Sequence, residues 1–488
     1  MRVMSSFTFV FLEKRIFEIM EKMYNKVTED ILLSLRTAVG AAQVLTEMEA
    51  RQNYGHDETE DLVFLPEVVV KPLDTGGVAR VMKICNEHQI PVTVRGGGSG
   101  LSGGALPVMG GVLMTMEKMN QILNIDHDNF QVTVQPGVIT ETLQNTLKEQ
   151  QLFYPPDPSS RGWCFIGGNI STNAGGPKAV KYGVVKDYVL NLEVVLPSGE
   201  IIWTGANTLK NSTGYNLTQL IVGSEGTLGV VTKIVLKLLP YPKFNLLMLV
   251  PFRKAAEACT AVAAIFREGI IPSALEFMER EAIEWAVRYV GDTGIVVADD
   301  HAAHLLIEVD GNDIDVLMKD CETIATVVAQ FDVDDILFAD DETTKTNLWK
   351  LRRNVANAVK VNSIYKEEDT VVPRAQLPQL LKGVKEIGAK YGFQSVCYGH
   401  AGDGNLHVNI IKGQLDEHTW EQVLPTGIRE IFTLVKQLGG TLSGEHGIGW
   451  VQRPYMDIMF DENSFALMRG IKNTFDPHHI LNPKKILP

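Results

Sequence analysis

Along most of this chain apolar residues return either every second position or every third and fourth, and glycine gathers where neither rhythm holds. Val78, Val81, Met82 and Cys85 share one face of a helix predicted over residues 77–89, and the runs 67–71 and 91–95 on either side read as strands. Organised structure is therefore expected to begin near Pro66, with a β-α-β unit. Upstream, Ile31, Leu32 and Leu35 give residues 25–37 a helical pattern, while 51–61 is polar and reads as loop. Downstream come short strands at 112–116, 122–125 and 131–134, a Pro136-Gly137 turn, and a helix over 140–150 capped by Thr140. Strand 190–196 turns at Pro197-Ser198-Gly199 into a second strand at 201–203, and a short helix at 217–222 precedes strand 230–239.

The rhythm restarts after Pro240-Tyr241-Pro242 with strand 245–250, helix 254–267, strand 274–278, helix 280–289, strand 304–309, helix 314–330 and strand 336–338. A helix over 342–361 carries Arg352 and Arg353, and helix 377–391 and strand 395–398 lead to residue 399. The pattern is α+β. It divides into an N-terminal extension with a helical segment (1–64), a first domain (65–240), a second domain (241–448) and a closing segment (449–488).

At 488 residues the chain exceeds what one core serves, and its composition, 45% hydrophobic with 43 glycines, is that of a globular protein. A net charge of -14 argues against nucleic acid as main partner and requires that any anionic substrate be met by locally placed cations. The cysteines, Cys85, Cys164, Cys259, Cys321 and Cys397, form no Cys-x-x-Cys unit, which excludes a zinc ribbon or iron–sulfur cluster and points to a reducing cytoplasm. The apolar run 7–12 is too short for a signal peptide, Met20 and Met23 are alternative starts, and no stretch reaches the ~20 apolar residues of a membrane span.

Two glycine-rich zones interrupt the first domain. Arg95-Gly96-Gly97-Gly98-Ser99-Gly100-Leu101-Ser102-Gly103-Gly104 follows a strand directly; its outward backbone amides suit phosphate oxygens, with Ser99 and Ser102 as extra donors. It has neither the P-loop spacing nor the helix that follows a dinucleotide fingerprint. A flexible linker is the alternative, disfavoured because apolar strands flank it. Residues 154–160 and 166–176 form a second loop-rich zone, too long and too polar to be only a connection.

In the second domain, Gly399-His400-Ala401-Gly402-Asp403-Gly404-Asn405-Leu406-His407-Val408-Asn409 is answered by Ser443-Gly444-Glu445-His446-Gly447. The first reads as a hairpin with His400 and His407 facing across the turn; with Glu445 they make a two-nitrogen, one-carboxylate set suited to zinc or another divalent first-row metal. Glu445 and His446 are adjacent, so in extended backbone they point apart, and His446 is left as general base. A metal-dependent hydrolase, with the glycine loops holding a phosphate ester, is the reading from a different class.

From Pro66 onward the combination of segments 95–104, 167–176, 223–229, 399–409 and 444–449 resembles the FAD-binding D-2-hydroxy-acid dehydrogenases of the vanillyl-alcohol oxidase and p-cresol methylhydroxylase (PCMH-type) superfamily, the branch of D-lactate dehydrogenase, the glycolate oxidase flavin subunit and D-2-hydroxyglutarate dehydrogenase. The resemblance implies a PCMH-type FAD-binding domain of two α+β subdomains and a cap domain with an antiparallel sheet flanked by helices. It implies that residues 96–104 wrap the FAD pyrophosphate, that Pro156, Asp157, Ser160, Gly168, Asn169, Ser171, Thr172, Gly175 and Tyr182 line the flavin and ribityl chain, and that Glu225, Gly226 and Gly229 close the adenine side. Asn482 matches the position that returns to the flavin. The same resemblance assigns His400, His407 and Glu445 to metal, His446 to the base, Asn409 to substrate, and Arg352 with Lys366 to the substrate carboxylate. The implied reaction takes the C2 hydroxyl proton on His446 and the C2 hydride on flavin N5, giving a 2-oxo acid. The absence of His and Cys from 95–104 implies noncovalent FAD. Ala356, four positions after Arg352, and the segment 444–449 favour D-lactate or glycolate; Lys366 favours the alternative, D-2-hydroxyglutarate. Electrons would leave to a quinone, an electron-transfer flavoprotein or a separate iron–sulfur subunit. A homodimer and a peripheral position at a membrane are both compatible with the sequence.

Overall fold

The computed structural model describes residues 24–291 and 293–488, so the apolar run 7–12 and both alternative starts lie outside the described residues. Its first sheet has four strands in the order Val44–Leu45, Val68–Val70, Val112–Thr115, Val92–Arg95. The last three are mutually parallel, and Val44–Leu45 runs antiparallel at the edge. Parallel strands are buried on both faces, which is why these runs are rich in Val and carry little alternation. The helix Thr75–Glu87 is capped by the Asp74 carboxylate on Gly77 N–H at 2.7 Å and buries Val78, Val81, Met82 and Cys85 against this sheet.

Organised structure does not wait for Pro66. The helix Glu29–Val39 buries Ile31 and Leu35 in the same core, Val44–Leu45 joins the sheet, and the Tyr24 hydroxyl donates to His479 O at 2.7 Å. The helix Met48–Asn53 runs into the start of the stretch 51–61 read as loop. The helix Glu29–Val39 is the one its local pattern predicts over 25–37, whereas the contacts of Val44–Leu45 and Tyr24 are made with residues distant in sequence, which local pattern does not announce.

The second sheet is antiparallel, in the order Ile122–Asp126, Gln131–Val134, Val230–Lys237, Val189–Val195, Ile201–Trp203. The third has seven antiparallel strands: Leu337–Ala339, Phe244–Phe252, Ala303–Gly311, Ala274–Glu279, Gln394–Gly399, Asn405–Ile411, Tyr365–Val371. Period-two alternation splits its side chains between two cores. Leu246, Met248 and Val250 face the helices Ala255–Arg267, Ile314–Val328, Leu377–Tyr391 and Leu424–Gln437. Leu247 and Leu249 face Arg280–Val290, Glu342–Arg353 and Val355–Asn362. The helix expected over 342–361 is thus two helices, broken at Asn354.

Residues 480–482 return to the first sheet. Val92 N–H donates to Ile480 O, Asn482 N–H donates to Val92 O, and Ile480 and Leu481 are fully buried in the first core. Among the described residues no helix is long and apolar enough to cross a membrane.

Candidate active site

The strand Val92–Arg95 delivers the chain into the glycine loop, which forms one wall of a cavity between the first two sheets and the third. Arg95 itself turns away: its guanidinium donates to His56 O at 2.6 Å and fills the space where a Gly98 side chain would stand, with Gly98 at φ +75°. Gly96, Gly97, Gly98, Ser99, Gly100, Leu101, Ser102 and Gly104 line the cavity. Gly103 does not, because Trp450 packs against it. The Ser102 hydroxyl, expected as an extra phosphate donor, instead donates to His446 O at 3.0 Å, and Ser102 O accepts from Trp450 and Val451 N–H. The glycine loop is thereby stitched to the segment that carries His446.

The facing wall is a helix, Ile166–Thr172, where the sequence reads as loop. Ile166 and Ile170 anchor it in the second core, Gly167 abuts Pro136, and Gly168, Asn169, Ser171 and Thr172 face the cavity together with Ser160. A Cβ added to Gly100 or Gly168 would meet no protein atom within 4 Å. The fold therefore does not need glycine at these two positions, and both leave open space on the cavity wall.

Other expected flavin contacts are committed elsewhere. Asp157 is buried and pairs with Arg353 and with Arg161 at 3.1 Å, tying the first unit to the second. Pro156 O accepts from Gln144, and Tyr182 donates its hydroxyl to Asp310 at 2.8 Å. Gly175 meets the Glu445 carboxylate rather than the cavity, 2.9 Å from where its Cβ would be. Gly226, Gly229 and Asn482 line the cavity. Glu225 does too, and its two carboxylate oxygens accept from Ile448 and Gly449 N–H, both at 2.7 Å, so it also braces the turn after His446. Asn482 accepts from Val94 N–H at 3.0 Å and donates to Glu225 O at 2.7 Å, joining both walls.

The polar end of the cavity is built on three adjacent strands. Tyr398, His407 and Asp369 stand in register across Gln394–Gly399, Asn405–Ile411 and Tyr365–Val371, and Glu367 is opposite Asn409. Asp369 organises the site. Its Oδ2 accepts from Ser443 Oγ (2.7 Å) and from three successive backbone N–H groups, Gly444 (2.9 Å), Glu445 (2.8 Å) and His446 (2.9 Å), while Oδ1 accepts from Asn405 Nδ2 (2.7 Å). Burial alone would raise its pKa, but His446, His407 and the converging N–H groups hold it well below the usual carboxylate range. Residues 443–447 are therefore not extended. They wrap a carboxylate, and Glu445 and His446 end up on the same site instead of pointing apart.

Glu445 Oε1 lies 3.0 Å from His400 Nε2 and 3.6 Å from His407 Nε2, and one ligand atom from each residue falls within 4.8 Å of the others. Each imidazole has carboxylates behind its other nitrogen: Glu276 at 2.8 Å from His400 Nδ1, and Glu367 (3.5 Å) and Asp369 (3.4 Å) at His407 Nδ1. That is the backing metal-bound histidines use to keep Nε2 unprotonated toward the ion. Without an ion, burial lowers the pKa of His400 but Glu276 and Glu445 more than offset it, raising it to about 10, and Glu445 is drawn down to about 2. Glu276 and Glu445 thus draw positive charge to this end of the cavity. A second group, Asp300, His301 and Asp334, also has ligand spacing, but the Arg253 guanidinium already pairs with Asp300 and Asp334 there.

His446 stacks on His407, ring centroids 5.0 Å apart and 5° from parallel, and faces the cavity. Arg352 is buried, lines the same cavity, pairs with Glu276 at 2.6 Å and lies 5.3 Å over the Tyr398 ring, leaving its Nε–H without an acceptor. Asn409 is fully buried beside the Tyr398 hydroxyl and does not reach the cavity surface. Lys366 is not with Arg352. Its ammonium lies 4.8 Å over the Trp420 ring, near Glu421, because strand alternation puts Tyr365, Glu367 and Asp369 on the site face and Lys366 and Glu368 on the other. Sequence reasoning passed over Asp369, Glu367, Glu276, Tyr398 and Arg353. The signal for the first two was present as that period of two, counted back from Asp369.

Comparison with known proteins agrees with this geometry. Residues 66–205 match the family described as "FAD binding domain", and residues 241–486 match "FAD linked oxidases, C-terminal domain". The chain is 36% identical over 471 residues to D-lactate dehydrogenase of Anaerostipes hadrus, covering 96% of this chain and 99% of the relative. It is 37% identical to glycolate oxidase subunit GlcD of Bacillus subtilis (94% and 97% covered) and 33% identical to D-2-hydroxyglutarate dehydrogenase of Stutzerimonas stutzeri (93% and 97%). Among solved structures, 4-ethylphenol oxidase from Gulosibacter chungangensis superposes with a TM-score of 0.75 at 18% identity (94% of this chain, 97% of that one), and p-cresol methylhydroxylase with 0.75 at 18% (93% and 96%). Two family matches over residues 66–205 and 241–486, a glycine-walled cleft between the two regions and relatives that are dehydrogenases and oxidases lead to one assignment: the chain belongs to the FAD-linked oxidase family and is a flavin-dependent oxidoreductase of PCMH-type fold.

Proposed function

We propose that this protein oxidises a D-2-hydroxy acid, D-lactate or glycolate, to the 2-oxo acid. The observation that carries the reading is the meeting, in one cavity, of an open glycine wall with Arg352, His446, His407 and Glu445, with His400 buried just behind Glu445. Arg352 binds the substrate carboxylate: its unmatched Nε–H faces an acidic protein's one requirement for an organic-acid substrate, a buried cation with fork geometry. His446 takes the C2 hydroxyl proton. Its ring is held in place by stacking on His407, and its own N–H and C=O are fixed by Asp369 and Ser102, so only the imidazole is free to act. FAD, bound along the glycine walls, supplies the hydride acceptor. A divalent ion, zinc by donor type, held by His400, His407 and Glu445 would polarise the hydroxyl and offset the carboxylates of Asp369, Glu367 and Glu445, which, against the lowering effect of burial, raise the His446 pKa.

Lys366 lies outside the cavity, which removes the one residue that favoured D-2-hydroxyglutarate. Initial rates of flavin bleaching with D-lactate, glycolate, D-2-hydroxyglutarate and the L-isomers test the reading; bleaching by none of them, or by L-isomers alone, refutes it. The electron acceptor is a quinone, an electron-transfer flavoprotein or a separate iron–sulfur subunit, and the Bacillus relative is itself named as a subunit. The five cysteines are buried free thiols, in keeping with a reducing cytoplasm.

The FAD is noncovalent in this reading. Acid precipitation is expected to release it into the supernatant, and elemental analysis to find zinc at about one per chain in wild type and none in His407→Ala. Flavin retained in the pellet, or zinc retained in that variant, counts against these two assignments.

A further inference from the structure

We infer that Glu367 sets substrate choice by making the substrate end of the cavity hostile to a second carboxylate, so that the enzyme takes 2-hydroxy acids with an uncharged tail and rejects dicarboxylates. This rests on the reaction proposed above. Glu367 lines the cavity on the strand Tyr365–Val371, one of its carboxylate oxygens is 3.5 Å from His407 Nδ1, and the other is buried with no hydrogen-bond partner. A substrate with its carboxylate on Arg352 and its hydroxyl at His446 is therefore also beside Glu367. With Arg352 and any ion on His400, His407 and Glu445 already taken up by the substrate's first carboxylate and hydroxyl, a second carboxylate beside Glu367 meets like charge and no further basic side chain to receive it. The other basic side chains that line the cavity are already paired: Arg353 with Asp157, and Lys360 with Glu58 at 2.9 Å. Beyond Tyr365 the charge is acidic again, since the carboxylates of Glu58 and Glu60 share the single Lys360 ammonium at 2.9 and 4.0 Å. A second carboxylate on the substrate would add to an acidic wall; a methyl group or a hydrogen does not.

The test is the ratio of kcat/KM for D-lactate to that for D-2-hydroxyglutarate in the holoenzyme of wild type, Glu367→Gln and Glu367→Lys, with zinc and FAD contents read alongside. The wild-type ratio is expected to fall about tenfold in the glutamine variant and further in the lysine variant, chiefly through KM for the dicarboxylate. A merely structural role for Glu367 behind His407 lowers both rates together and leaves the ratio alone. Where turnover is too slow to measure, the dissociation constants of pyruvate and 2-oxoglutarate, read from the flavin spectrum, are expected to shift in the same sense. Substrate-driven bleaching with an unchanged ratio in both variants overturns the assignment alone; no bleaching of the wild-type flavin by any 2-hydroxy acid overturns the reaction and this assignment with it.

Discussion

His446→Ala is expected to bind FAD and zinc as the wild type does and to lose substrate-driven flavin bleaching by roughly 10²–10⁴-fold, the usual contribution of a positioned base. The expectation is sharp because the two roles of this residue separate cleanly. What holds the loop is the backbone: the N–H of residue 446 donates to Asp369 at 2.9 Å and its carbonyl accepts from Ser102 at 3.0 Å, and alanine keeps both. What is lost is the imidazole and its stack on His407. Near-normal bleaching would remove His446 as base. Loss of zinc along with bleaching would mean that the metal set includes His446, in the alternative grouping with Glu367 and His407 that the spacing also allows.

Asp369→Asn should do more damage to the whole site than any change that leaves the strand's carboxylate in place. One oxygen of Asp369 gathers four donors and the other accepts from Asn405 Nδ2. Asparagine has the same shape but only one acceptor oxygen. In either orientation its amide NH2 faces donors, and buried N–H groups are left unmet at a cost of about 1–3 kcal/mol each. We expect a fall of roughly 3 kcal/mol in stability, weaker zinc binding and loss of bleaching by more than about 100-fold, since the same loop carries Glu445 and His446. Thermal unfolding, zinc content and bleaching rate read the three effects. An unchanged melting temperature with intact zinc would show that the converging N–H groups do not depend on the charge.

How much of this was legible in the sequence depended on whether a contact is local. The helix Thr75–Glu87 and most strands of the third sheet, Tyr365–Val371 excepted, announced themselves through period, and the hairpin that brings the His400 and His407 rings to 5.4 Å of each other through the glycines of its turn. The helix Ile166–Thr172 was hidden because Gly, Ser and Thr are poor helix formers; it exists because Ile166 and Ile170 bury into a core and Gly167 donates its N–H to Pro136 O. The edge strand Val44–Leu45 was hidden because its partner is Val69–Val70, across a loop. Lys366 against Glu367 was a different failure. One position decides which face of the strand Tyr365–Val371 a side chain takes, and a lysine matched by type stands on the face opposite the one that Asp369 defines.

Asn482 gives the order in which this protein can be completed on the ribosome. It hydrogen-bonds Val94 across 388 positions of sequence and, with Ile480 and Leu481, extends the sheet that opens the first domain. The first half of the cofactor cleft is synthesised early, yet its edge strand is left with unpaired backbone groups until nearly the entire chain has emerged. Closing a contact that long is slow compared with local helix formation. Between those two moments the nascent chain exposes an apolar parallel sheet edge.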